Sequence, residues 1–192
     1  MLKPNNAWKW YFDKEAQLLM LDLGEDMVFR VAMEKKHLIP DAFVDTPFSV
    51  DDASLFQVYN EALSVLPLSS PRRAELVLNA VAANRFHKPL LPKSWFFKSI
   101  EGHVTPAAGS IVELQTDFGS EAYLVIENSG CASLCMHAGE SPLALSESKQ
   151  MRFCEAIKVM NDRLSIYEEQ YDSGSGQYAL VADTAMYQPF SP

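Results

Sequence analysis

The sequence predicts an α+β chain of two small domains. The first is an N-terminal α/β domain, an antiparallel meander plus two helices over residues 1–89. The second is a C-terminal twisted, β-barrel-like domain over residues 90–166, followed by a loosely held tail at 167–192. Three observations carry this: apolar residues alternate in the first 33 positions, two segments between 49 and 86 carry helix start and stop signals, and short extended runs recur about every ten residues beyond 95.

Residues 8–13, WKWYFD, place Trp8, Trp10 and Phe12 on one face and Lys9, Tyr11 and Asp13 on the other, the pattern of a half-buried strand. QLLMLDL and MVFRVAM follow as second and third strands, separated by the polar turns DKEA and Gly24-Glu25-Asp26, with Met27, Phe29, Val31 and Met33 sharing a side. The second strand is apolar on both faces, so one side is expected to line a pocket or lie under the other domain. Pro40 closes a short basic linker.

Ser49 and Asp52 form a capping box with Asp in place of Glu, and Asp51-Asp52 suits the positive end of a helix over about 51–66. Leu55, Val58, Tyr59, Ala62 and Leu66 give that helix its buried stripe, and Pro67 ends it. Ser70 as N-cap with Pro71 at the first position starts a second helix reaching Phe86. It is apolar on nearly every side between Ala74 and Ala83, as a helix lying between two layers must be.

Beyond it, WFFKSI, IVELQTD, AYLVIEN and CASLCMH read as strands of a small barrel or twisted sheet. Residues 153–165 fit a helix through Ile157, Met160 and Leu164, and fit equally a strand entering an Asn161-Asp162 turn; the strand is the reading adopted. In the tail, YALVA offers one further short strand.

The formal net charge is -9, but it is unevenly spread. Residues 76–100 hold no acid and four bases, Arg85, Lys88, Lys93 and Lys98, while residues 101–192 sum to -9. Pro89 and Pro92 stiffen the backbone of this basic stretch, and Trp95, Phe96 and Phe97 follow at once. Cations and large aromatic surfaces on a segment with little freedom to lose suit recognition of an acidic protein. The alternative is an ordinary solvated surface.

Apolar content of 48% supports a packed core, and no apolar run approaches the ~20 residues of a membrane span. The N-terminus lacks a signal-peptide core, so a cytoplasmic location is expected. An acidic chain is a poor general nucleic-acid binder. Three unevenly spaced cysteines fit reduced thiols. Cys131, Cys135 and His137 are the only clustered metal-ligating types, but strand spacing sets the two cysteines roughly 13 Å apart, too far to share one ion. No nucleophile elbow or phosphate-binding loop is present, so neither catalytic residues nor cofactors are expected. A small-molecule or enzymatic domain using an apolar pocket remains the competing function, with a nucleic-acid adaptor behind it.

Several segments together carry a family resemblance: WKWYFD from Trp8, LMLDL from Leu19, MVFR from Met27, PDAF from Pro40, VDDA from Val50, AELVLNA from Ala74, KPLLPKSW from Lys88 and AIKVMNDRL from Ala156. The chain resembles the ZapC family of bacterial cell-division factors across residues 8–164, with the tail unmatched. The resemblance implies two domains, each with a pocket, and a non-catalytic monomer without cofactor. It implies recruitment to midcell, binding to the globular core of the tubulin-like GTPase FtsZ, lateral bundling of its filaments and slower GTP turnover. It also implies that Lys88 and Lys93 contact FtsZ, with Trp95 as apolar neighbour, and that Leu21 belongs to the N-terminal pocket. Arg85, from the same basic stretch, completes the set of expected contacts.

Overall fold

The computed structural model describes residues 2–102 and 104–168. The tail from 169 onward, including the YALVA segment, lies outside the described residues. Strands β1 (Lys9–Asp13), β2 (Leu18–Gly24) and β3 (Met27–Glu34) form the expected antiparallel meander. Register pairs Trp10 with Leu21 and Leu21 with Phe29, which sets their side chains on one face. The β2–β3 turn uses Glu25 and Asp26, both at positive φ, the primed geometry that matches strand twist.

A two-residue strand, β4 (Thr46–Pro47), pairs with β1 and gives the sheet order β3-β2-β1-β4. Its brevity and its proline hid it in the sequence, and proline is tolerated because the strand lies at an edge. Helix α1 (Val50–Ala62) begins with the full capping box: Ser49 Oγ accepts from the Asp52 amide at 3.1 Å and Asp52 Oδ2 from the Ser49 amide at 2.8 Å. It ends four residues before the expected limit, tightening into a 3-10 turn at Leu63–Val65. Of the expected stripe, Tyr59 and Leu66 are buried and Leu55 and Ala62 pack partly buried on the core, but Val58 is exposed, and Asp52, Phe56 and Leu63 are buried in addition. Asp52 turns the helix so that its own carboxylate faces inward.

Helix α2 (Ser70–Phe86) has Ser69, one residue earlier than expected, at the N-cap position, without a side-chain cap bond. Residues 76–83 are all buried. The helix packs against α1, β3 and strand β6 (Ser120–Asn128) of the C-terminal domain, which is why it shows no polar face.

The C-terminal domain contains β5 (Ile111–Gln115), β6, β7 (Ala132–His137), the hairpin β8 (Leu143–Ser146) with β9 (Lys149–Met151), then β10 (Ala156–Met160) and β11 (Leu164–Ile166). The ambiguous segment is therefore strand, broken by a 3-10 turn at Asn161–Arg163. The main sheet runs β10-β7-β6-β5-β11. A flat sheet would hold its edge strands roughly 19 Å apart, yet Met160 and Leu164 are four residues apart and reach at most ~14 Å, so the sheet must roll. It is rolled but not closed, because no ladder joins β10 to β11 among the described residues.

WFFKSI is not a strand. Residues Ser94–Phe96 form a 3-10 turn, and the segment straps the open side of the rolled sheet. The Lys93, Lys98 and Ile100 amides donate to the carbonyls of Lys158, Gln115 and Asp162 at 2.8, 2.8 and 2.9 Å. One face of the sheet, including Leu124, Ile126 and Met136, joins the N-terminal core, and the other packs Tyr123, Val125 and Cys135 with Phe97 and the β8–β9 hairpin.

Asp52 ties this arrangement together. Its Oδ2 also accepts from Trp10 Nε1 at 3.2 Å and forms an ion pair with the Arg85 guanidinium, which further donates to the Pro47 carbonyl and Thr46 Oγ1. Asp52→Ala removes the cap and leaves the Arg85 charge and the indole without this acceptor, so a loss of about 3–5 kcal/mol is expected in urea unfolding. A loss below about 1 kcal/mol contradicts the assignment.

A basic cleft between the domains

The C-terminus of α2 delivers the basic stretch to a fixed place. Segments 37–39 and 86–88 pair through a Leu38–His87 bridge, with the Ile39 amide donating to the Phe86 carbonyl at 2.9 Å and the Lys88 amide to the His37 carbonyl at 2.7 Å. Beside this pairing opens a cleft of about 380 Å³ between β3, α2, the 90–93 connector and the β9–β10 region. Four lysines line it, Lys36, Lys93, Lys149 and Lys158, against two glutamates, Glu34 and Glu155.

Lys36 is paired with Glu34 at 2.8 Å and Lys158 with Glu127 at 3.9 Å. Lys93 and Lys149 make no ion pair among the described residues, so the cleft keeps net positive charge. Lys149 Nζ lies 5.2 Å from the centre of the Phe96 ring, a cation–π contact. Lys88 is exposed beside the cleft and donates to the Lys36 carbonyl at 2.9 Å. His37 and His87 stack inside it, ring centroids 5.6 Å apart. Burial first, then neighbouring His87 and the Lys36 and Lys93 cations, lowers the His37 pKa against the opposing pull of Glu34. Leu91, in the lining, is 84% exposed, and Trp95, beyond the lining, is 71% exposed.

The five residues singled out from the sequence divide. Lys93 lines the cleft, Lys88 is exposed beside it, and Trp95 is exposed two residues further along the chain, outside the lining. Arg85 does not join them, because its guanidinium is committed to Asp52. Leu21 is fully buried in the N-terminal core, held between Trp10 and Phe29 on the flanking strands. The outer face of β2 carries Met20 under its register partners Tyr11 and Arg30, so it lines none of the three clefts found. Lys36, Lys149 and Lys158 were missed. They stand far apart in the chain, and only the folded sheet gathers them.

Cys135 and Cys154 are buried and Cys131 is exposed; burial pushes the Cys135 thiol up to about 12. Among the described residues no cluster of three His, Cys, Asp or Glu is arranged to hold a metal ion. No described helix is long and apolar enough to cross a membrane.

A rolled β domain sharing a core with a meander-and-helix domain, with a cationic cleft at their junction, defines a two-domain α+β class. Residues 1–88 match the family described as "Cell-division protein ZapC, N-terminal", and residues 89–170 match "Cell-division protein ZapC, C-terminal". The chain belongs to the ZapC family of cell-division proteins. It is 60% identical over 169 residues to the cell division protein ZapC of Photobacterium profundum, covering 88% of this chain and 94% of that one. It is 52% identical over 181 residues to that of Aliivibrio salmonicida (94% and 99%), and 46% identical over 165 residues to that of Vibrio cholerae (86% and 92%).

His137 shows what burial costs near this site. It is fully enclosed, its ring edge-on to Tyr123, and both ring nitrogens lack a hydrogen-bond partner. Burial lowers its pKa to about 4. The unfolded imidazole titrates near ~6.5, so between these values only the unfolded chain binds the proton. Stability attributable to this group is complete above ~6.5 and is lost as pH falls toward 4, by roughly 3 kcal/mol. Urea unfolding of the protein and of His137→Phe at pH 7 and pH 4 checks this: the variant should lose about that much less. Equal losses contradict it.

Proposed function

We propose that this ZapC-family chain acts as a non-catalytic cytoplasmic factor recruited to midcell, where its basic cleft grips the globular core of FtsZ. In this reading it promotes lateral association of FtsZ filaments and lowers their GTP turnover. The observation that carries it is the cleft: Lys93 and Lys149 uncompensated, Lys88 beside them, and Trp95 and Leu91 exposed on a backbone stiffened by two prolines. Such a surface matches an acidic partner, since cations raise encounter rate and register while the indole supplies dry contact area. A preformed cleft loses little entropy on binding.

Hydrolysis in tubulin-like polymers takes place at the junction between subunits. A ligand that favours the assembled state slows turnover without touching nucleotide, which is a linkage effect and needs no catalytic group here. Bundling requires more than one filament contact per binding unit, supplied by a second surface of the monomer or by self-association on the filament.

Co-sedimentation with FtsZ filaments tests the reading. Lys88→Glu with Lys93→Glu is expected to weaken binding about tenfold or more, Trp95→Ala to cost about 2 kcal/mol, and binding of the unmodified protein to fall as salt rises. All three substitutions lie on exposed positions, so thermal unfolding should be unchanged. Unaltered pelleting of both variants, with the fold intact, removes the cleft from the binding site.

A further inference from the structure

The basic cleft holds two groups that the filament reading leaves unused, the stacked imidazoles of His37 and His87. Their planes lie 11° from parallel with centroids 5.6 Å apart, and both residues line the cleft. The pairing of residues 37–39 with 86–88 fixes the backbone beneath each ring. His87 Nδ1 lies 2.6 Å from the Lys88 carbonyl, so this nitrogen carries the proton and donates, and Nε2 is the basic one. Both residues are only half-buried, within reach of a group that enters the cleft.

The charges around His37 come from every wall. Glu34 and Lys36 flank it on its own segment, His87 stands just past α2, and Lys93 lies on the connector. The β9–β10 wall adds Lys149, Glu155 and Lys158. Lys88 lies beside them, its ammonium donating to the Lys36 carbonyl. Cys154 also lines the cleft, and burial pushes its thiol up, so it stays neutral. Carboxylates and ammonium groups ordinarily hold their charge from pH 6 to 7.5, whereas imidazole ordinarily changes there. A proton on His37 adds to an existing excess of cations, and burial, His87, Lys36 and Lys93 oppose it. An anion in the cleft offsets that opposition. A second, acidic groove of about 930 Å³ is lined by residues 64–68 and 138–141 with Glu113, Glu121 and Glu168, and by no base. It repels a carboxylate, so the two concave surfaces sort an acidic partner to the cleft.

We propose that His37, seated against His87, is part of the partner-binding surface and takes up a proton as a carboxylate of the partner enters the cleft. The identity of that partner rests on the filament reading above; the coupling of carboxylate to imidazole does not. A bound carboxylate strengthens the hold of His37 on its proton, so by reciprocity the proton strengthens the hold of the cleft on the carboxylate. Binding therefore tightens as pH falls through the imidazole range and levels off once His37 is protonated in the free chain.

Imidazole NMR titration of the unmodified protein, with and without excess poly-L-glutamate at low salt, tests the coupling directly. The polymer should move the His37 transition to higher pH and leave that of the enclosed His137 in place. Its affinity should rise about threefold or more between pH 7.5 and 6.0. His37→Gln should abolish that rise with thermal unfolding at pH 7.5 unchanged. A His37 transition unmoved by excess polymer overturns the proposal, as does an equal rise in affinity in the variant. Co-sedimentation with FtsZ filaments at both pH values, taken as the ratio of unmodified protein to variant, cancels the filament's own response to pH. A ratio that grows on acidification is expected. A constant ratio alongside a moved His37 transition leaves the pair as a carboxylate site and removes the filament from it.

Discussion

The Asp52–Arg85 ion pair is the constraint on which the remainder of the molecule depends. One carboxylate completes the capping box of α1, accepts from the Trp10 indole of β1 and holds the guanidinium one residue from the end of α2. A nearly buried charge satisfied on three sides fixes rotation as well as stability, since no other orientation of α1 leaves all of these donors paired. The last turn of α2 is thereby set against β4, and the pairing of 86–88 with 37–39 aims the connector. Lys88, Lys93 and Trp95 inherit their positions from a pair that is itself outside the cleft lining.

The two domains are joined by packing as much as by chain. Leu124, Ile126 and Met136 of the rolled sheet lie in the same buried cluster as Trp10, Leu21 and α2, while the Ile126 carbonyl accepts from Tyr59 Oη at 3.3 Å and Asn84 Nδ2 at 3.4 Å. Asn79, buried in α2, accepts from the Ala32 amide of edge strand β3 at 2.8 Å. The cleft is therefore framed by elements that share a core, so its lysines are presented on a stiff scaffold. That matters for a chain of net charge -9: a small cationic surface held in place concentrates attraction while the surrounding acid discourages nonspecific contacts.

Local chemistry was legible in the sequence where it is self-contained. The meander followed from strict alternation and two polar turns, the start of α1 from Ser49 and Asp52, and the all-round burial of α2 from its composition. What escaped depended on partners distant in the chain. Strand β4 exists only because β1 offers an edge, and WFFKSI became a strap because β5 and the 161–163 turn supply acceptors to its amides. The β8–β9 hairpin, unread in the sequence, contributes Lys149 to a cleft whose other members come from residues 36, 93 and 158. Arg85 looked like its neighbouring lysines in sequence, but helical geometry turned it inward to Asp52. The two-faced apolar pattern of β2 reflected Met20 tucked beneath Tyr11 and Arg30, and Leu21 in the core, not a pocket wall.

The central claim is the proposal that this cationic cleft is where the ZapC-family chain binds FtsZ filaments. Hydrogen exchange of the chain, alone and with assembled FtsZ, tests it most directly. Slowed exchange is predicted at the amides of Leu90, Leu91 and Trp95 and along residues 149–158, with residues 64–68 and 138–141 of the acidic groove unchanged. Protection confined to that groove, or to the outer face of the meander, would contradict the account.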